Sequence, residues 1–139
     1  MTKDIWFNLP VKDIQRSKDF FKKIGFTFNE QFGGNRTISA CMLVGDKNTT
    51  CMLFEQSAFR GFSGIDVTDT SKSAELLISI SAESRAEVDE LATKAAEAGG
   101  NVFAKPADSQ GWMYGCGFAD PDGHRWNVLY MDMSKMPKM

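Results

Sequence analysis

The chain repeats itself at long range, and this constrains its fold more than any other feature. The segment SKDFFKKIG carries Ser17, Phe20, Phe21 and Ile24 at helical spacing, and SRAEVDELATKAAEAGG carries Val88, Leu91, Ala92 and Ala95 in the same pattern. The two stripes are 71 residues apart, whereas the glycines that stop the helices, Gly25 and Gly99, are 74 apart. The second helix is therefore about one turn longer. Asp13 is placed to cap the first, and Ser84 with Glu87 forms a capping box for the second. These signals predict helices over 15–24 and 84–98.

A strand precedes each helix, IWFNLPVKD in one case and ELLISIS in the other, and three strand-like runs follow it. The first set is FTFNEQF, RTISACMLV and TTCMLFE, separated by a Gly33-Gly34 turn and by GDKN. The second is NVFA, WMYGCGF and HRWNVLYM, separated by a loop KPADSQG and by DPDG. The predicted fold class is α+β: two β-α-β-β-β modules, one helix in each, within a single domain spanning 1–139. Module 1 covers about 1–56, a linker about 57–72, and module 2 about 73–133. The linker is polar and glycine-containing, and its Phe59, Phe62 and Ile65 are expected to lie on the surface or against a partner, with a ligand lid as the alternative.

Alternation assigns faces to the strands. One set of side chains reads Ile5, Phe7, Leu9; Met52, Phe54; Leu76, Ile78, Ile80; Trp126, Val128, Tyr130, and is expected under the helices. The other set is mixed: Trp6, Asn8; Cys51, Leu53, Glu55; Leu77, Ser79, Ser81; Arg125, Asn127, Leu129. A greasy face with a few placed polar groups suits a ligand cleft, and equally a sheet face half covered by another subunit. On WMYGCGF the glycines, Gly115 and Gly117, are expected to admit the second helix, which by elimination turns Tyr114 and Cys116 toward the cleft.

Composition excludes several classes. A net charge of -2 and a pI near 5.4 argue against a nucleic-acid or membrane footprint, and no apolar run approaches a spanning helix. A cytoplasmic location is expected, with Cys41, Cys51 and Cys116 as three free thiols. Cys116 beside Arg125 reads either as an activated thiolate or as an inert buried thiol, with the second favoured. The only histidine, His124, follows the turn DPDG, where Pro121, Asp120 and Gly123 supply the turn chemistry. A structural role is expected for it. Arg125 is placed either to bind an anionic group or to hydrogen-bond that acidic turn.

Paired β-α-β-β-β modules, with LPVKDIQRSKDFFKKIGF opening the first and FADPDGHRWNVLYMD closing the second, resemble the glyoxalase/bleomycin-resistance/extradiol-dioxygenase superfamily, the vicinal oxygen chelate fold. The resemblance covers essentially the whole chain and is strongest toward glyoxalase-like bacterial proteins. It implies an eight-stranded, incompletely closed cup of sheet and a homodimer. Metal-dependent members take ligands from the first and last strands of each module, which the resemblance carries to Trp6, Leu53, Leu77 and Asn127. None is a histidine or carboxylate, so neither a metal nor any other cofactor is expected. The expected function is binding of a small organic molecule in a metal-free cleft lined by Trp6, Asn8, Glu55, Ser79, Tyr114, Arg125 and Asn127, with no catalytic residue identified. The alternatives are a metal-dependent glyoxalase-like lyase/isomerase or dioxygenase with an atypical site, and a dimer without a ligand.

Overall fold

The computed structural model describes residues 1–32 and 34–137. Two compact units divide the chain, Met1–Asp69 and Thr70–Met139. The first contains β1 (Phe7–Val11), α1 (Ile14–Lys23), β2 (Thr27–Phe28), β3 (Ser39–Val44), β4 (Thr49–Glu55) and α2 (Gln56–Ser63). The second contains β5 (Leu77–Ser81), α3 (Arg85–Glu97), β6 (Asn101–Ser109), β7 (Met113–Ala119) and β8 (Arg125–Met131), followed by a short 3-10 turn at Met133–Lys135. The sheets have the same topology, β1-β4-β3-β2 and β5-β8-β7-β6. In each, the first strand runs parallel to the last and the other neighbours are antiparallel. Neither sheet closes on itself. The doubled α+β architecture is thus present in the structure.

Both module helices form where their caps place them. The Asp13 carboxylate accepts the Arg16 amide at 3.1 Å, and the Ser84 hydroxyl accepts the Glu87 amide at 3.1 Å. Helix α1 buries Ile14, Ser17, Phe20 and Phe21, with Ile24 buried at its C-cap, and α3 buries Val88, Ala92 and Ala95. Between α3 and its sheet the core is built on Trp126, Phe118 and Val128, with the Phe118 and Trp126 rings stacked at 6.1 Å. In the first unit the fully buried side chains include Val11, Phe20, Phe21, Met42 and Leu53.

Three features depart from expectation. The supposed linker begins with a third helix, α2, so the first module does not have a single helix. The Glu55 carboxylate caps it by accepting the Ser57 amide, and Gly64, at φ 74°, ends it in the left-handed region. Strand β6 continues through KPADS, which composition had marked as loop; register shifts flank Ala104, and an edge strand accommodates Pro106, which has no N–H to donate to a ladder. The run FTFNEQF contributes only a two-residue strand. The Gly33-Gly34 turn expected after it involves Gly33, which lies outside the described residues.

All three cysteines are buried and none is in a disulfide. Cys41 is opposite Met52 and Cys51 opposite Met42, so the two thiols point to opposite faces of the β3–β4 pair. That geometry forbids a bridge between them.

Candidate functional site

The turn before the last strand holds the second unit's candidate residues in register. Asp120 is almost fully buried, and its carboxylate accepts the amides of Asp122 at 3.0 Å and His124 at 3.1 Å and the Trp126 indole N–H at 3.1 Å. Burial pushes its pKa up, against the opposing pull of His124. His124 is itself buried within this turn. The Thr70 hydroxyl donates to the Asp122 carbonyl, and Gly123, at φ 90°, packs so close to the Thr70 carbonyl that a Cβ would collide with it.

From this anchor β8 alternates. Trp126 and Val128 point into the core; Arg125, Asn127 and Leu129 point to the other face. The register pairs Leu77 with Arg125, Ser79 with Asn127, and Ser81 with Leu129, so those six share the face that α3 does not cover. The Asn127 amide donates to the Ser79 hydroxyl at 3.4 Å. Ser79, Arg125 and Asn127 therefore come together as expected.

Tyr114 does not join them. Strand β7 pairs Tyr114 with Tyr130, Cys116 with Val128 and Phe118 with Trp126, which puts all three on the α3 side. The Tyr114 hydroxyl donates to Asp89 of α3 at 2.5 Å, and the Cys116 thiol points at the Val88 carbonyl at 3.9 Å. Burial raises the Cys116 pKa, and Asp89 adds to that, so the thiol is inert rather than activated. Gly115 and Gly117 are what face away from the helix. Close approach there comes from β6: the Phe103 ring lies where a Gly117 Cβ would be, 2.6 Å from it. The Arg125 guanidinium sits over the same ring at 4.5 Å. Phe103 was absent from the expected site, although a glycine on a strand was the signal that something lies across it.

In the first unit the pairings correct the face assignment. Phe7 is opposite Cys51, Asn8 opposite Met52 and Leu9 opposite Leu53. Phe28, which pairs with Met42 on the Cys51 side, lies beneath Lys18 and Lys22 of α1, so Leu9, Cys51 and Leu53 face the helix. The opposite face carries Asn8, Pro10, Met52 and Phe54, and Phe62 of α2 packs edge-on against Phe54 at 5.0 Å. Glu55 falls on the α1 side and is engaged with Ser57, which holds its carboxyl below the usual range; it is a helix cap, separated from Asn8 by the sheet. Trp6 precedes β1 and is 56% exposed. A shallow surface hollow lined by Lys18, Phe28, Phe32, Arg36 and Cys41 includes none of the expected residues.

The slip on β4 has a simple origin. Ser79 corresponds to Asn8 at the 71-residue offset, but their strand partners, Asn127 and Met52, are 75 apart. The position matching Asn127 is therefore Met52, and the fully buried Leu53 belongs to the core.

Residues 3–42 match the family model described as bleomycin resistance protein-like N-terminal. A hypothetical protein from S. aureus is similar in structure, with 36% identity, 94% of each chain covered and a TM-score of 0.81. A glyoxalase/bleomycin resistance protein/dioxygenase family enzyme from Burkholderia phytofirmans PsJN superposes with a TM-score of 0.76 at 15% identity, covering 91% of this chain and 97% of that one. An antibiotic binding protein from Streptomyces sp. CB03234 does so with a TM-score of 0.63 at 20% identity, covering 95% and 98%. No curated protein matches the chain in sequence. Doubled β-α-β-β-β modules with these neighbours define a glyoxalase-like fold. The fold is the one seen in glyoxalase/bleomycin resistance/dioxygenase structures, and the N-terminal residues match the bleomycin resistance protein-like model.

The residues at the metal-ligand positions do not fit a metal. With the register corrected they are Trp6, Met52, Leu77 and Asn127: an indole, a thioether, an alkyl chain and a neutral amide. A catalytic divalent cation takes imidazole, thiolate or carboxylate donors. Among the described residues no three His, Cys, Asp or Glu side chains cluster to supply them.

Proposed function

We propose that this protein binds a small organic molecule on the helix-free face of its second sheet, without a catalytic metal. The observation that carries this reading is the donor set just described. Where metal-dependent members of the superfamily are charged, this chain is apolar or neutral. The face instead offers what a ligand surface needs: exposed Leu77 and Phe103 for an apolar body, and Ser79, Arg125 and Asn127 to orient it. The antibiotic-binding relative adds weight to binding as the activity of this architecture. Asn8 and Trp6 are the corresponding candidates in the first unit, and a homodimer is the assembly we propose. The lyase, isomerase and dioxygenase readings require metal ligands that these strands do not carry.

The test is a thermal-shift screen of the full chain against aromatic antibiotics and other planar organic molecules, with and without EDTA. A ligand present at a hundred times its Kd stabilises by about 2.7 kcal/mol. The expected result is a hit whose shift EDTA leaves unchanged. A stoichiometric divalent metal whose removal abolishes binding would overturn the metal-free reading.

A further inference from the structure

We propose that Arg125, laid on Phe103, is the receptor for a carboxylate carried by a planar organic ligand. This deepens the binding function proposed above and rests on it. The guanidinium is 4.5 Å from the Phe103 ring centroid. Stacking at that distance fixes the plane of the group by cation–π attraction while leaving its in-plane N–H donors unused. A planar fork held in this way matches the two oxygens of a carboxylate.

The second arginine of this unit provides an internal comparison. Arg85 is also stacked on an aromatic ring, Tyr114, at 4.8 Å, but it holds Asp108 at 2.8 Å. Its charge is answered within the chain. For Arg125, among the described residues, no carboxylate is paired with it. The acidic turn next to it does not fill that role: Asp120 spends both oxygens on two backbone amides and the Trp126 indole. Arg125 is thus a preorganised cation without a counterion among the described residues, on a face that α3 leaves uncovered.

The surroundings define the rest of the ligand. Leu77, the strand partner of Arg125, is 56% exposed, and Phe103 is 44% exposed. Asn127, one pleat further along the face, is tied to Ser79. A cation flanked by two exposed apolar side chains complements a flat hydrocarbon body with an acidic group at its edge. Gly117 is what allows this arrangement, because any side chain there would lift Phe103 from beneath the guanidinium.

The experiment is calorimetric titration of the full chain with naphthalene-2-carboxylate and with its neutral counterpart, 2-naphthamide. The acid is expected to bind tighter than the amide by about tenfold or more, the scale of a charge-assisted hydrogen-bonded pair. Arg125→Gln should bring the two affinities together, whereas Arg85→Gln should leave the preference intact. Phe103→Leu keeps the charge but removes its support, and should reduce the preference without changing the melting temperature greatly. Equal binding of acid and amide to the parent protein, or a preference that survives Arg125→Gln, would overturn the inference while leaving the broader binding role standing. If neither compound binds, the inference fails, and the binding role is judged separately by the thermal-shift screen.

Discussion

Asp120 shows how much one buried side chain can organise. Its carboxylate meets three N–H donors and so sets both the DPDG turn and the start of β8. In Asp120→Asn the amide group turns a donor toward one of those partners, and chemical denaturation should show a loss of about 1–3 kcal/mol. The pH dependence has a definite sign. Burial raises the folded-state pKa above the unfolded one, so the folded protein binds the extra proton. The stability of the parent relative to Asp120→Asn should therefore increase as the pH falls through the folded pKa toward the ordinary carboxylate range, and level off below it. Urea midpoints of the pair across that range check this; a difference that falls on acidification would contradict the assignment. Trp6 needs a different expectation from that of a buried ring. Being half exposed, it should cost well under the ~3–5 kcal/mol of a core Trp→Ala change when truncated.

At the scale of strands and helices, two glycines two residues apart on β7, Gly115 and Gly117, separate stability from binding. A Cβ at Gly115 would meet the Val128 carbonyl at 2.5 Å, and backbone cannot step aside. Gly115→Ala should destabilise by about 1–3 kcal/mol. A Cβ at Gly117 collides with the far end of the Phe103 side chain, which can rotate away, and otherwise touches the Ala104 Cβ at 3.4 Å. Gly117→Ala should melt near the parent temperature yet lose affinity for naphthalene-2-carboxylate; the two variants are compared by thermal unfolding and calorimetry. The same scale shows what the chain revealed beforehand. Caps and apolar stripes located α1 and α3 within a residue, because each rests on local spacing. Helix α2 was illegible because Glu is a weak N-cap and Gly61 lies in its middle. The faces of β4 and β7 depended on register, where one residue reverses every side chain. A clue to β4 was present in the turns: Gly45 to Asn48 and Asp120 to Gly123 close with equivalent backbone bonds and lie 75 apart. The Tyr114 assignment failed because the glycines of β7 admit a ring from β6, an edge strand interrupted by Pro106 and bulges that composition had read as loop.

For the whole molecule, assembly and redox state are the open measurements. A homodimer predicts twice the 15.4 kDa chain mass by light scattering at micromolar concentration; a monomer mass would remove that proposal. Thiol titration of denatured, unreduced protein should count all of Cys41, Cys51 and Cys116, since the first two point away from each other and all are buried. No helix among the described residues is long and apolar enough to cross a membrane. Of the three tryptophans, Trp6 and Trp126 are contrasting optical reporters, with Trp112 half-buried. Trp126, sealed in the core against Asp120, should emit to the blue and resist iodide, and its signal follows unfolding. Trp6, largely open to water, should emit to the red and quench readily. A ligand that covers the first unit's surface would then lower the quenching of Trp6, which comparison with a Trp6→Phe variant isolates, while the Trp126 signal continues to follow unfolding.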